Sequence, residues 1–244
     1  MTTPDQVLHV LCAGAAQGLV KALAPQVAAE LGVRIEGRFG AVGAMKEALL
    51  AGEPCDVMIV TDAMIETLAG TGELEGRSRA ALGRVRTGVA VKSAAPPPEV
   101  GTSEGLRATL LASDRIYFPD PLRATAGIHF ADTLRRLGLY DRLAHRFATF
   151  ASGAIAMREL AASTDDAPIG CTQITEILYT EGVQLAGALP PEFELATGYT
   201  AAVAARSAER ERARRFVALL SGEASRELRR IGGFEVEAPP TSAT

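Results

Sequence analysis

The sequence predicts an α/β protein with two lobes, because short apolar strands alternate with helices and three glycine- or alanine-rich turns join them. A chain of 244 residues is long enough for one large domain or two closely packed lobes. Hydrophobic residues make up 48% of the chain and charged residues 22%, which excludes wholesale disorder and a fibrous repeat.

In the first half of the chain, three strands alternate with three helices, the pattern of a parallel sheet with helices on both faces. The predicted strands cover residues 7–12, 34–39 and 56–60, and the helices cover 19–31, 44–50 and 64–68. A strand at 85–91 continues into 94–98, where a proline-rich bend ends this region.

The alternation then restarts and produces a second, lobe-sized set of elements. It contains strands at 115–118 and 168–172, a loop at 119–125, and helices at 104–111, 126–137, 140–145, 153–161 and 175–179. A final strand at 193–204 and closing helices at 207–220 and 224–231 follow. The tail, residues 237–244, is rich in Pro, Ser and Thr and is predicted to be frayed.

The charge balance favours a small-molecule partner. Lys and Arg total 25 and Asp and Glu total 29, so the net charge of −4 provides no basic field for nucleic acid or anionic lipid. No stretch approaches the roughly 18 apolar residues of a membrane span, which predicts no membrane insertion.

The cysteines are compatible with a reducing compartment, and the N-terminus does not read as a secretory signal. Cys12, Cys55 and Cys171 are too scattered for a disulfide framework or a metal site, and we expect neither a metal nor a cofactor. The first residues include no basic side chain, and His9 interrupts their short apolar run. The chain as written is therefore predicted to be cytoplasmic, although a processed periplasmic protein would look the same.

Three turns have the form of ligand-binding loops. They cover residues 12–17, 40–43 and 119–127, and each leads from a predicted strand toward a helix. Ligands of open α/β sheets bind at such places, where helix N-termini offer unpaired N–H groups. Each turn alone also fits an ordinary tight connection, and their joint occurrence favours a binding site.

Five segments together resemble the solute-binding proteins of molybdate-type ABC transporters, which have the type II periplasmic-binding-protein fold. The segments are VLCAGAAQGLVKALAP, FGAVGAMKEALLAGEPCDVMIV, YFPDPLRATAGIHFADTLRRLGL, IGCTQITEI and RRFVALLSGEASRELRRIGGFE. The resemblance implies two lobes, each a mainly parallel sheet flanked by helices, with crossing strands at 85–91 and 195–204 and a ligand cleft between the lobes. Lobe one would comprise residues 1–84 and 200–244, and lobe two residues 85–199.

The binding positions depart from that family. Its molybdate binders hold a tetrahedral oxyanion with two serines and a tyrosine, and these positions fall near Ala15, Val42 and Gln173 of this sequence. Each lost charge-assisted hydrogen bond is worth about 1.5–3 kcal/mol. We therefore expect a ligand other than molybdate.

Other polar residues around these turns suit a small di- or tricarboxylate. Arg123 provides a planar fork for a carboxylate, and Thr125 adds a hydroxyl just ahead of a helix. Gln17 and Gln173 add amide donors, and Thr61 adds a further hydroxyl.

The pattern D-P-x-x-A-T-x-G-I-H-F at residues 120–130 is similar to the aconitate-isomerase branch of the fold. That resemblance implies an allylic 1,3-proton shift, which needs an acid/base residue. The candidates are His129, Glu176 and Asp120, in that order, because an ordinary His titrates closest to neutrality.

Each candidate also has a structural interpretation. His129 fits an ordinary helix position, Glu176 a helix cap and Asp120 the start of an Asp-Pro turn. Three functions stay open: an isomerase of an unsaturated carboxylate, a solute-binding protein that works with an ABC permease if the chain is exported, and a ligand sensor without chemistry.

Overall fold

A computed structural model describes residues 6–236; residues 1–5 and the tail predicted to be frayed, 237–244, lie outside the described part. The strands are β1 Gln6–Ala13, β2 Val33–Gly40, β3 Val57–Thr61, β4 Ala80–Lys92, β5 Arg115–Pro119, β6 Phe147–Phe150, β7 Pro168–Gln173, β8 Val183–Ala188 and β9 Ala196–Val203. The helices are α1 Gly14–Leu31, α2 Val42–Leu50, α3 Asp62–Gly70, α4 Ser103–Ala112, α5 Thr125–Arg136, α6 Tyr140–Leu143, α7 Gly153–Ala162, α8 Ile174–Leu178, α9 Arg210–Ser221 and α10 Arg226–Ile231.

The first sheet has the strand order β2-β1-β3-β9-β4. Strand β1 runs parallel to β2 and β3, and β9 runs antiparallel to both β3 and β4. Leu19 and Phe216, from helices α1 and α9, belong to the same buried core as the strand residues Leu8 and Ile59. This sheet and helices α1, α2, α3, α9 and α10 are called the first half of the molecule.

The second sheet shares strand β4 with the first. Residues 80–86 of β4 pair with β9, whereas residues 87–92 pair with β7 and β8, so the strand changes sheets between Arg86 and Thr87. Strand β5 runs parallel to β6 and β7. This sheet and helices α4 to α8 are called the second half, and the chain returns to the first half between β8 and β9.

Helices cover both faces of the second sheet. Phe118 of β5 belongs to a buried cluster that contains Leu106 of α4 and Phe130 of α5. The neighbouring residue Tyr117 belongs to a different cluster, with Met157 of α7. Successive strand residues point to opposite faces, so the two clusters lie on the two sides of the sheet.

The predicted α/β fold is confirmed, with local differences. The long strand begins at Ala80 rather than at 85, and strands β6 and β8 have no counterpart in the sequence prediction. The last strand begins at Ala196, after a short 3-10 turn at Pro191–Phe193. Each sheet also combines parallel with antiparallel pairs. The lobe boundaries at 84/85 and 199/200 stay a prediction.

Three further observations concern the described residues. Cys12 and Cys171 are buried, Cys55 is half-buried, and all three are free thiols. None of the helices within residues 6–236 has the length and apolarity to cross a membrane. Over the same range, no group of three or more His, Cys, Asp or Glu side chains is arranged to hold a metal ion.

Candidate functional site

The N-termini of helices α1 and α2 from the first half and of α5 and α7 from the second lie around a narrow cavity of about 30 Å³, which Gln173, just before α8, also lines. Helices α1 and α2 begin directly after strands β1 and β2, while α5 and α7 begin after short loops that follow β5 and β6. The carboxyl ends of strands in both halves thus direct backbone N–H groups toward one place between the two sheets. Helix N-termini carry partial positive charge, which makes this place suited to an anion.

Three of these helices have no side-chain cap. The residues that precede α1, α2 and α5 are Ala13, Ala41 and Ala124, and an alanine side chain cannot accept a hydrogen bond. The first N–H groups of a helix have no partner within the helix, so a ligand can bind them. Helix α7 differs, because the Ser152 hydroxyl accepts a hydrogen bond from the Ile155 N–H at 3.4 Å.

The carboxyl group of Glu176 lies in this cavity, between the N-termini of α1 and α7. Its Oε1 atom accepts a hydrogen bond from the Ala154 N–H at 3.2 Å, and its Oε2 atom accepts one from the Thr172 hydroxyl. A methyl group on Gly14 or Gly153 would collide with this carboxyl group. Glycine at both positions therefore leaves the space in which Glu176 fits, at the contact between the two halves.

Glu176 is only 7% exposed, and this burial raises the pKa of its carboxyl group. The hydrogen bonds from Thr172 and from the backbone N–H groups of Ala154 and Gln173 favour the ionised form and partly offset the effect. A buried carboxyl group with a raised pKa, in a cavity lined by N–H groups, has the properties of a general acid or base.

Tyr199 also lines the cavity, from strand β9. Its side chain is buried, and its hydroxyl group makes no hydrogen bond with any residue of the described chain. Burial raises the pKa of Tyr199, and the nearby carboxyl group of Glu176 raises it further. The phenol therefore stays protonated near neutrality and can donate a hydrogen bond.

Five of the residues predicted from the sequence are brought together here. They are Ala15, Val42, Thr125, Gln173 and Glu176, all of which line the cavity. The side chains at positions 15 and 42 add no hydroxyl group. In the amide orientation that satisfies its neighbours, Gln173 donates to the carbonyl oxygens of Val85 and Arg86 at 3.3 Å, which ties it to the strand that links the halves.

Gln17 lies one turn further along α1 and lines a larger cavity of about 830 Å³. This second cavity lies between α1, α7 and α8, and Gly14 and Glu176 line both cavities. We call the two the small cavity and the large cavity.

His129, the first acid/base candidate, lines neither cavity. Its Nε2 atom is 2.7 Å from the carbonyl oxygen of Phe193. Thr125 and His129 share a face of α5, but one turn, about 6 Å, separates them along the helix axis. The imidazole therefore contacts the segment that returns the chain to the first half, rather than the cavity.

Asp120, Arg123 and Thr61 also lie outside the two linings. The Asp120 carboxylate accepts a hydrogen bond from the Leu122 N–H at 2.7 Å, as expected of a turn residue. Thr61 is half-buried at the end of β3, opposite Tyr199 of β9.

Arg123 forms an exposed ion pair with Glu47 of α2. This pair joins the loop before α5, in the second half, to helix α2 in the first half. In this structure the guanidinium pairs with a carboxylate of the opposite half, and its binding to a ligand stays a prediction.

Sequence reasoning missed four residues of the lining: Gly14 as the contact of Glu176, Ser152, Gly153 and Tyr199. For Ser152 and Gly153 only half of the signal was present, because the helix that follows them was predicted but the short strand before them, β6, was not. Tyr199 carries no such signal, since its position depends on the antiparallel register of β9.

The paired sheets, the connecting strand and the cavity between the halves define a periplasmic-binding-protein architecture. The model of the family described as bacterial extracellular solute-binding protein matches residues 8–235. The chain belongs to this family and is a solute-binding protein related to molybdate-binding proteins.

Three relatives illustrate the relationship. Aconitate isomerase from a Pseudomonas species is 24% identical over 247 residues, which cover 97% of this chain and 91% of that protein. The molybdate-binding protein ModA of Escherichia coli K12 is 24% identical over 200 residues, 80% of this chain and 76% of that one. The periplasmic molybdate-binding protein of Azotobacter vinelandii superposes with a TM-score of 0.78 at 21% identity, covering 95% of this chain and 100% of that one.

Proposed function

We propose that the chain binds a small di- or tricarboxylate between its halves and isomerises it by an allylic 1,3-proton shift. The observation that carries this proposal is the carboxyl group of Glu176, buried among helix N-termini that offer N–H groups to an anion. The aconitate isomerase that resembles this chain over 97% of its length supports the same class of reaction.

A carboxylate fits the small cavity better than a tetrahedral dianion does. Hydroxyl donors are lacking at Ala15 and Val42, and an ionised Glu176 would repel a second full charge placed beside it. Each carboxylate group of the proposed ligand carries one charge, so the N–H groups can hold one of them while the adjacent carbon atoms lie against the carboxyl group of Glu176.

In the proposed reaction, the ionised carboxyl group of Glu176 removes a proton from the CH₂ carbon of the ligand. The electron pair of that C–H bond forms a new C=C bond, and the electrons of the original double bond shift toward the adjacent carboxylate. The N–H groups of α1, α2 and α5 and the hydroxyl of Tyr199 stabilise the charge that develops there. The protonated Glu176 then returns the proton to the other end of the allylic system, so no oxidant or reductant is needed.

A second candidate function is ligand binding without chemistry, as the solute-binding component of an ABC uptake system. Family membership and the likeness to a periplasmic molybdate-binding protein favour it. A permease would be the partner in that case. The two candidates differ in one respect, because binding alone does not require a base in the cavity.

The test is incubation with trans-aconitate in deuterated water, followed by proton NMR. We expect formation of the cis isomer, with deuterium at carbon when the abstracted proton exchanges with solvent. Glu176→Gln should reduce turnover by about 10²–10⁴-fold. Glu159→Gln, which removes a charge from an exposed position on α7, is the matched control.

Three results would contradict the proposal. Tight binding of molybdate by calorimetry would assign an oxyanion ligand. Binding of a carboxylate with neither isomerisation nor deuterium exchange would assign a receptor for that ligand. Loss of turnover in His129→Gln, with normal turnover in Glu176→Gln, would return the acid/base role to the first candidate of the sequence analysis.

A further inference from the structure

Within residues 6–236, the hydroxyl of Thr172 is the only side-chain group that forms a hydrogen bond with the carboxyl group of Glu176. Thr172 is the second-last residue of strand β7 and is 0% exposed, and its hydroxyl donates to the Oε2 atom of Glu176. The other donors to this carboxyl group are the backbone N–H groups of Ala154 and Gln173. Thr172 therefore provides the one hydrogen bond of the group that a side-chain substitution can remove.

The two oxygen atoms of the Glu176 carboxyl group have different surroundings. Oε2 lies beside Thr172 and Gly153 of the second half, and a methyl group on Gly153 would collide with both Oε2 and the Thr172 hydroxyl. Oε1 lies against Gly14, the first residue of α1, across the contact between the halves. Oε1 is thus the oxygen on the side of the first half, whereas Oε2 is enclosed by its own half.

Part of this arrangement is also that of a helix cap. Glu176 is the third residue of α8, and its carboxyl group accepts from the N–H of Gln173, the residue just before the helix. Such a contact is one half of a capping box. Capping does not explain the bond from Thr172, because this hydroxyl belongs to the strand and satisfies no N–H group of the helix.

We infer that Thr172 is a positioning residue for the proposed base: its hydroxyl fixes Oε2 of Glu176 and leaves Oε1 as the oxygen that takes the ligand's proton and returns it. This inference rests on the proposed function and adds the side chain that controls its base. Rotation of the carboxyl group would break the bond to Thr172, so Oε1 stays at the contact with α1. The same bond stabilises the ionised form, which proton removal requires.

Few other titratable groups surround this carboxyl group. Those that line a cavity together with Glu176 are Tyr199 on β9, Lys21 on α1, Arg158 on α7, Tyr179 next to α8, and Glu181. None of them forms a hydrogen bond or an ion pair with the Glu176 carboxyl group in the part of the chain that the structure describes. Burial raises the pKa of both tyrosines, so neither phenol ionises in the range in which a carboxyl group titrates.

The test measures kcat and KM for isomerisation of trans-aconitate as a function of pH in Thr172→Val, which keeps the shape of the side chain but removes the hydroxyl. The acidic limb of the kcat profile should move upward by about one pH unit, and kcat on that limb should fall about tenfold, because the ionised base loses a donor. KM should change less than about twofold, since Thr172 is enclosed and does not line the small cavity.

Two variants are matched controls for this measurement. Thr172→Ser keeps the hydroxyl and should restore the wild-type profile. Thr87→Val, on the neighbouring strand β4, removes a buried hydroxyl that has no partner within residues 6–236, and should leave the profile unchanged.

Urea unfolding at a series of pH values gives a second readout that does not depend on activity. Loss of a donor to the ionised form raises the folded-state pKa of Glu176 further, so the pH range over which stability falls should extend upward in Thr172→Val. In the Glu176→Gln background, the same substitution should leave the pH dependence unchanged, because the titrating group is absent.

Wild-type pH profiles in a folded Thr172→Val variant would overturn the inference and leave the proposed function intact. A lower kcat without a shift of either profile, or equal shifts in Thr172→Val and Thr172→Ser, would also overturn it, because either result would show only a packing effect. Thr172→Ala repeats the test if the valine variant does not fold. Absence of turnover in the wild type at every pH would instead overturn the proposed function, and the catalytic role of Thr172 would fail with it.

Discussion

Replacing Glu176 by glutamine is expected to abolish a pH-dependent loss of stability in the wild-type protein. Glutamine keeps the shape of the side chain. Its carbonyl oxygen can still accept from the Ala154 N–H, and its NH₂ group can donate to the Thr172 oxygen. The variant therefore removes the ionisation of this group while leaving its packing between Gly14 and Gly153 in place.

The size and sign of the effect follow from burial. The folded-state pKa of Glu176 is raised above the ordinary value of 4.5, so the folded protein holds this proton more tightly than the unfolded chain does. Below the unfolded pKa the contribution to stability is fully present. As the pH rises through that value toward the folded pKa, the unfolded state ionises first, and stability falls by about 1.4 kcal/mol per pH unit.

Urea unfolding of both proteins, at a series of pH values between about 4 and 8, measures this difference. The free energy of unfolding of the wild type should fall relative to that of Glu176→Gln, and the difference should level off above the folded pKa. Glu159→Gln gives the baseline for removal of an exposed charge. Parallel pH profiles for the wild type and Glu176→Gln would refute the argument that burial raises the pKa of this carboxyl group.

Two further contacts between the halves can be tested by substitution. Gly153→Ala should destabilise the protein by about 1–3 kcal/mol in urea unfolding, since its methyl group would collide with the buried carboxyl group; Gly70→Ala, where there is open space, should not. Arg123→Ala and Glu47→Ala should each change stability by less than about 1 kcal/mol and weaken carboxylate binding equally in calorimetry, because either deletes the same exposed pair. A binding loss confined to Arg123→Ala would instead assign direct contact with the ligand.

The order of the elements could be predicted because apolar runs and helical spacing are local properties. Strand β8 was not predicted because its residues other than Val183 are half-exposed and one of them is Gly187. The strand therefore shows neither a buried apolar run nor a clear alternation of apolar and polar residues. Strand β6 has only four residues, too few to separate it from its surroundings. The start of β4 at Ala80 depends on pairing with β9, a contact more than a hundred residues away in the sequence.

The helix-starting loops of the candidate site could be predicted from the sequence, whereas the burial of Glu176, on which its proposed acid/base role rests, could not. The segments predicted as turns, 12–17, 40–43 and 119–127, contain the first residues of α1, α2 and α5, whose N-termini converge on the small cavity. His129 ranked first because an ordinary imidazole titrates near neutrality. Ranking by ordinary pKa ignores burial, and burial is what moves the pKa of Glu176 upward. The burial of the Glu176 carboxyl group depends on Gly14 and Gly153, which come together from opposite halves of the molecule.

Two opposing influences act on the carboxyl group of Glu176, and ligand binding changes their balance. Burial favours the protonated form, whereas the α7 N-terminus and the Thr172 hydroxyl favour the ionised form. A ligand carboxylate that binds the N–H groups of α1, α2 and α5 brings a second negative charge close to this group, which raises its pKa further. In the proposed reaction, the ligand thereby strengthens the base that removes its proton. Delocalisation of charge into the adjacent carboxylate stabilises the anion that both proton transfers share, so one carboxyl group can remove the proton and return it.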